Sequence, residues 1–295
     1  MKRLVLRVIP DEATRLAALR RGEVDIAYLL SGPVAEDIRL TPGFKLVAPK
    51  EPPGLFWIDL PDQWDPKSPW HDRRVRLAAN YAIDRPAINR AELLGFARII
   101  WSIIPSSFEF YWQPPGYAHD GAKAKQLLAE AGYPNGFEAG DYSCDNVSAT
   151  IGEAVVGYLS TVGIRAKLRP LERAAFNRGY AEKKHKGLIQ GGSGAFGNAA
   201  TRIEAFVAAG GTYVYGSYPD IDGLFQEQAV ELDPKRREAI LHRIQQLIHE
   251  KVVFAPIWVV AGLSGVGPRV DEPGIGVIPG YAFSAPYEDV KLKVR

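Results

Sequence analysis

A single cysteine, Cys144, rules out an internal disulfide and a cysteine-based metal cluster. An excess of one charge is also missing. The 36 basic residues face 34 acidic ones, the net charge is +2, and no run of five or six like charges occurs. That balance argues against a nucleic-acid footprint and against a charged tail. Long hydrophobic runs are absent as well. The most apolar region, Val252 to Gly267, is broken by Pro256 and several glycines, and it falls short of the ~20 residues that cross a bilayer. The opening MKRLVLRVIP imitates a signal peptide for three residues before Arg7 and Pro10 interrupt it. The sequence therefore predicts neither a membrane anchor nor an export signal within this chain.

What is present is an ordinary globular composition, 46% apolar and 24% charged, in a chain of 295 residues with room for two domains. Leu4 to Ile9 reads as a strand, and Asp11 as the N-cap of a helix stopped by Gly22. Strands follow at Asp25 to Leu29, Phe44 to Ala48 and Gly54 to Leu60, with a helix over Pro33 to Leu40. Asp62 to Trp70, rich in proline and polar residues, reads as a crossing linker. Ile99 to Ile104 reads as a buried strand, and Phe108 to Gly116 as an aromatic loop. Further helices are predicted from Asp120, around Ile151 to Val162 and from Asp233, with strands at Ile164 to Leu168, Gly187 to Gln190 and Phe254 to Ala261. The alternation predicts an α/β fold.

The segment Asp72 to Ile88, DRRVRLAANYAIDRPAI, places Val75, Ala78, Ala79 and Ala82 on one helical stripe, with Arg73, Arg74 and Arg76 elsewhere on the wheel. Its wording resembles the "D-x-x-V-R-x-A-x-x-x-A-I-D-R" signature of the family 5 extracytoplasmic solute-binding proteins, the peptide, nickel and opine receptors of ABC importers. Three more blocks resemble the same family in the same order: Asp11 to Tyr28, Ala122 to Phe137, and Tyr218 to Leu224 with Asp233 to Pro256. The resemblance implies a two-lobe, type II periplasmic-binding-protein-like fold. Residues 1–62 and 252–295 would form a partial first lobe with the hinge strands, and residues 63–251 a complete second lobe. It also implies that roughly the first half of a full-length receptor is lacking. The implied location is periplasmic. The implied partners are a peptide or other small solute, the importer's membrane subunits, and either the missing N-terminal segment or a second copy of the chain.

The loop Gly191 to Asn198, GGSGAFGN, is the candidate site. It holds a literal G-x-G-x-x-G at Gly192, Gly194 and Gly197, with Asp220 about twenty residues on in a turn-like YPDIDG, the positions of a dinucleotide fingerprint. The preceding strand is short for that role. The resemblance places the same loop at a ligand cleft. Where peptide receptors of the family often carry tryptophan and aspartate, this chain has Phe196 and Asn198, which supply no counter-charge for an α-amino group. Tyr213 and Tyr215, with Tyr218, follow in the order the family uses to line its cleft, or else mark alternate faces of a half-buried strand. The expected ligand contacts are thus Ser193, Phe196, Asn198, Tyr213 and Tyr215. No catalytic residue, metal or cofactor is expected. GGSGA around Ser193 lacks the last glycine of a nucleophile elbow, and the five histidines read as solvated surface residues. The competing readings are a nucleotide-dependent enzyme using Gly192 to Gly197, a serine hydrolase using Ser193, and an interaction remnant without a small ligand.

Overall fold

The chain alternates strands and helices from end to end in a computed structural model that describes residues 3–49, 54–195, 197–260, 262–278 and 281–293. The first half carries α1 (Glu12–Arg20), β1 (Ile26–Ala27), α2 (Gly32–Arg39), β2 (Lys45–Val47), β3 (Gly54–Asp59), α3 (Arg73–Ala82), α4 (Arg85–Leu93), β4 (Arg98–Ile99), α5 (Gly121–Glu130) and β5 (Phe137–Asp145). The second carries α6 (Ala149–Thr161), β6 (Ile164–Leu171), α7 (Arg173–Ala181), β7 (Leu188–Ser193), α8 (Ala199–Phe206), α9 (Pro219–Val230), α10 (Pro234–Glu250) and β8 (Phe254–Val260). Short strands β9 (Ser264–Val266), β10 (Val270–Glu272) and β11 (Lys291–Leu292) follow.

Six strands form the main sheet in the order β4-β8-β3-β7-β5-β6. β5 runs parallel to β6 and β7, and the remaining pairs are antiparallel. Helices cover both faces, so β3 is buried on both sides. Trp57 packs with Ile203, Phe206 and Leu241 on one face, while its neighbour Ile58 packs with Val75, Ala79 and Leu159 on the other. Alternate pointing of successive strand residues produces this split. A smaller sheet, β1-β9-β2, packs Ala27 and Leu263 with Leu16, Leu19 and Ile38 of α1 and α2. β3 and β8, expected at a hinge, lie side by side at the centre of the large sheet. The connections from β2 and to β9 both leave it at the Leu55 end.

The signature segment is a structural clamp. Asp72 caps α3 through Arg74 N at 2.8 Å. Arg76, expected away from the core, is buried instead. It donates to the carbonyls of Trp70, His71, Lys251 and Val252 at 2.7–3.0 Å, tying α3 to the turn between α10 and β8. Arg85 is fully buried and donates to Pro256 O, Asn80 O and Asn80 Oδ1 at 2.7–3.0 Å.

Several expectations fail for identifiable reasons. Leu4 to Ile9 forms no strand, because no strand lies alongside it among the described residues; Val8 is 94% exposed. Of the predicted 99–104 strand only Ile99 lies in the ladder with β8, preceded there by Arg98, and the chain then bends. β5 was hidden by Gly140 and by a register shift between Glu138 and Gly140, which break its alternation. Asp220 belongs to α9 rather than a turn, with Pro219 at its first position. Asp62 to Trp70 packs as two 3₁₀ turns whose Gln63 and Trp70 are buried. His185 is also buried, bonded to Phe176 O at 2.9 Å and stacked on the Phe176 ring. His249, half-buried, stacks on Tyr117.

Candidate functional site

The register of β3 against β7 fixes the geography of the site. Leu55 lies opposite Ser193 and Asp59 opposite Ile189. Four strand residues span roughly 13 Å, so the two ends of β7 are separate places. Ser193 and Asn198 stand at the end where the chain crosses to the small sheet. Tyr213 and Tyr215 stand near the other, close to Asp59, in a turn rather than on a strand. The structure therefore places four of the five expected residues, and it places them in two groups and not in one. Phe196 falls outside the described residues.

At the crossing end, Ser193 is half-buried and its hydroxyl accepts from Ala195 N at 3.2 Å. Asn198 caps α8: its Oδ1 accepts from Thr201 N at 3.1 Å, and its own N–H donates to Thr201 Oγ1 at 3.1 Å. The next amide, Ala199 N, donates to Glu109 O at 3.1 Å and docks the helix start on the aromatic loop. Two of the amides that a phosphate at this helix start would need, Ala199 N and Thr201 N, are thus already used by the protein. Gly191 is a glycine for packing, since a Cβ there would lie 2.6 Å from Trp57 Nε1. The G-x-G-x-x-G reading does not become a nucleotide cradle.

The residue that pattern reading missed is Arg202, one turn into α8. It is 3% exposed, packs against Trp57, Phe108 and Phe206, and donates through Nη2 to Ala195 O at 3.2 Å. Burial lowers its pKa to about 10. Its Nη1 has no hydrogen-bond partner among the described residues. A polar residue amid Ala199, Ala200, Ile203 and Phe206 reads as the solvent side of a helix, and only tertiary packing reveals it as interior.

At the opposite end, Tyr213 stacks on Phe206 with centroids 4.9 Å apart and meets Tyr180 at 4.9 Å. Tyr180 donates from its hydroxyl to Asp59 Oδ2 at 2.7 Å, and Leu60 N donates to Oδ1 at 2.7 Å. Burial outweighs these bonds and pushes the Asp59 carboxyl up to about 6. Among the described residues neither end assembles a nucleophile with a base. His242 lies beside Glu238, His249 beside Tyr117, and neither bonds to Ser193 among the described residues. No three His, Cys, Asp or Glu side chains converge as a metal set among those residues, and no described helix is long and apolar enough to cross a membrane.

Comparison with known proteins fits this architecture. Residues 1–213 match the family model of bacterial extracellular solute-binding proteins, family 5, middle. The chain is 27% identical over 282 residues to heme-binding protein A of Haemophilus influenzae, covering 92% of this chain and 51% of that protein. It is 25% identical over 300 residues to the glutathione-binding protein GsiB of Escherichia coli K12, covering 97% and 57%. Among solved structures, the periplasmic binding protein DppA from Helicobacter pylori superposes with a TM-score of 0.79 at 24% identity, covering 97% of this chain and 56% of that one. NikA from Brucella suis gives 0.81 at 21%, covering 98% and 61%. The chain thus spans about half the length of the curated relatives it matches. With the family model covering most of its length, this chain belongs to the bacterial extracellular solute-binding proteins of family 5.

Proposed function

We propose that the chain serves as part of a periplasmic receptor that captures a peptide or other small solute for an ABC importer, making and breaking no bond. The observation that carries this reading is topological. Both crossings between the large and small sheets leave at the end of β3 and β8 where the Ser193–Asn198 loop stands. A loop so placed faces a cleft between two lobes, the usual position of a ligand site. In this proposal residues 63–251 form one lobe, residues 1–62 with 252–295 contribute to the other, and β3 and β8 join them. Ser193 and Asn198 line the cleft above Arg202, whereas Tyr213 and Tyr215 lie outside it. The loop holds no carboxylate, so an α-amino group finds no counter-charge there.

Because the chain spans half of its relatives, a solute bound by it alone stays half solvated, and binding in isolation is weak. The exposed apolar Leu4, Val5, Leu6 and Val8 are proposed to be covered by another polypeptide segment, either the remainder of such a receptor or a second copy. Thermal unfolding with NAD, ATP and a peptide library tests the receptor reading. Neither nucleotide should raise the melting temperature, and protection by either would overturn it. Micromolar affinity for a peptide in solution titration would overturn the expectation of weak binding by the chain alone.

A further inference from the structure

The far end of the main sheet encloses a second, unassigned site. Asp59 is 6% exposed, and among the described residues it has no ion-pair partner. The nearby cation, Lys183, has its ammonium bonded to Gly211 O and Thr212 O. Asp59 faces a cavity of about 10 Å³, the space one water-sized guest occupies. Gln63, 2% exposed, lines the same cavity. Both hydrogens of its amide are committed, to Leu60 O at 3.0 Å and Val253 O at 3.1 Å. Its Oε1 is therefore fixed as an acceptor, and it has no partner among the described residues. Tyr215 adds a hydroxyl that lies near the His185 backbone without a well-formed hydrogen bond. The remaining walls are apolar and mostly aromatic, among them Trp64, Phe206, Tyr213, Tyr218 and Phe254.

These features select the guest. A buried carboxylate without a cation and a buried carbonyl without a donor both favour positive charge. The π faces favour it too, and a single carboxylate suits one positive charge and not two. We propose that this cavity binds a monovalent cation of ammonium or potassium size through Asp59, Gln63 Oε1 and the Tyr215 hydroxyl. The site is independent of the interlobe cleft and stabilises the lobe that carries it.

The test is thermal unfolding of the full chain in ammonium, potassium and choline chlorides at equal ionic strength, choline being too large to enter. Ammonium or potassium should raise the melting temperature by ~5 °C at roughly 100 times its dissociation constant, with a logarithmic dependence on concentration. The better of the two identifies the preferred ion. Asp59→Asn should abolish the dependence. Should that variant fail to fold, Gln63→Met serves the same purpose. Equal melting temperatures in all three salts, as expected of a cavity holding only water, would overturn the proposal. So would a salt dependence that persists in both variants. Labelled ammonium gives a direct readout: a slowly exchanging ammonium signal in nuclear magnetic resonance of the wild type, lost in Gln63→Met, is expected if ammonium is preferred.

Discussion

Arg85 Nε donates to the carbonyl of Pro256 at 2.7 Å inside the main sheet's core, with no carboxylate answering the guanidinium among the described residues. Carbonyl dipoles from Pro256 and Asn80, together with Asn80 Oδ1, do the work of a counter-ion. Burial lowers the Arg85 pKa to about 9, which still leaves it charged at neutral pH. Asn80 is held in turn by Phe254 O, so α3, α4 and β8 are one hydrogen-bonded unit. Replacing Arg85 with Met strands several buried carbonyls at once and should cost about 3–5 kcal/mol. Arg85→Lys should recover only part of this, because a compact ammonium cannot reproduce the planar fork. Urea unfolding measures both, and a loss below about 1 kcal/mol for Arg85→Met would contradict the clamp.

This clamp also shows where sequence reading stops. Four blocks in family order, the Asp72–Ile88 segment the most recognisable of them, are enough to place the family, and the alternation of elements is enough for α/β. Yet the burial of Arg76 and Arg85 is not legible locally, because besides near neighbours each meets carbonyls some 170 residues away along the chain. The same blindness applies to Arg202 and to Asp59. Each is polar, each is buried by elements distant in sequence, and no local period carries that information. β5 illustrates a different failure. Its backbone is strand, but its glycine and register shift erase the period-two pattern that a reader uses. For the loop, the glycines at 192, 194 and 197 spelled a nucleotide motif, while the decisive facts, the Asn198 cap and the Glu109 carbonyl on Ala199, depend on packing.

Asp59 makes stability depend on pH in a direction opposite to most carboxylates. Its folded pKa of about 6 exceeds the ordinary aspartate value because burial penalises the charged form. Protonated Asp59 is favoured in the fold, so its contribution is fully present below the unfolded value and is lost as pH rises through about 6. In choline buffer the loss between pH about 4 and about 7.5 should be about 2 kcal/mol, since each pK unit is worth about 1.4 kcal/mol. Asp59→Asn removes the titration. The stability difference between wild type and variant, followed by urea unfolding across that range, should therefore drift in the variant's favour as pH rises. A flat difference would show that Asp59 does not titrate differently in the two states.

Asn198 separates a helix cap from a ligand contact. Its side chain closes the first turn of α8, so Asn198→Ala should destabilise by about 1 kcal/mol, whereas Asn198→Asp retains an acceptor and should change little. Gly191→Ala drives a methyl into the Trp57 indole and should cost about 1–3 kcal/mol by overpacking. Equal stability of Asn198→Ala and wild type in urea would remove the cap from this account and free the side chain for a ligand.

The segment from Leu4 to Val8 has the composition of a strand without, among the described residues, the neighbour a strand requires. Leu4, Val5, Leu6 and Val8 are 45%, 57%, 69% and 94% exposed, and beside them lies an open cavity of about 630 Å³ lined by Tyr28, Tyr281 and Phe283. An apolar run with unpaired backbone groups is a template for pairing with another chain. With only this chain in solution, the available partner is a second copy, and sedimentation should show association that grows with concentration. Leu6→Lys with Val8→Lys should shift the chain to monomer without lowering its melting temperature, because neither side chain contributes to the core. A monomer at every concentration would mean that the segment is content in water, and the proposed covering segment would lose its physical motive.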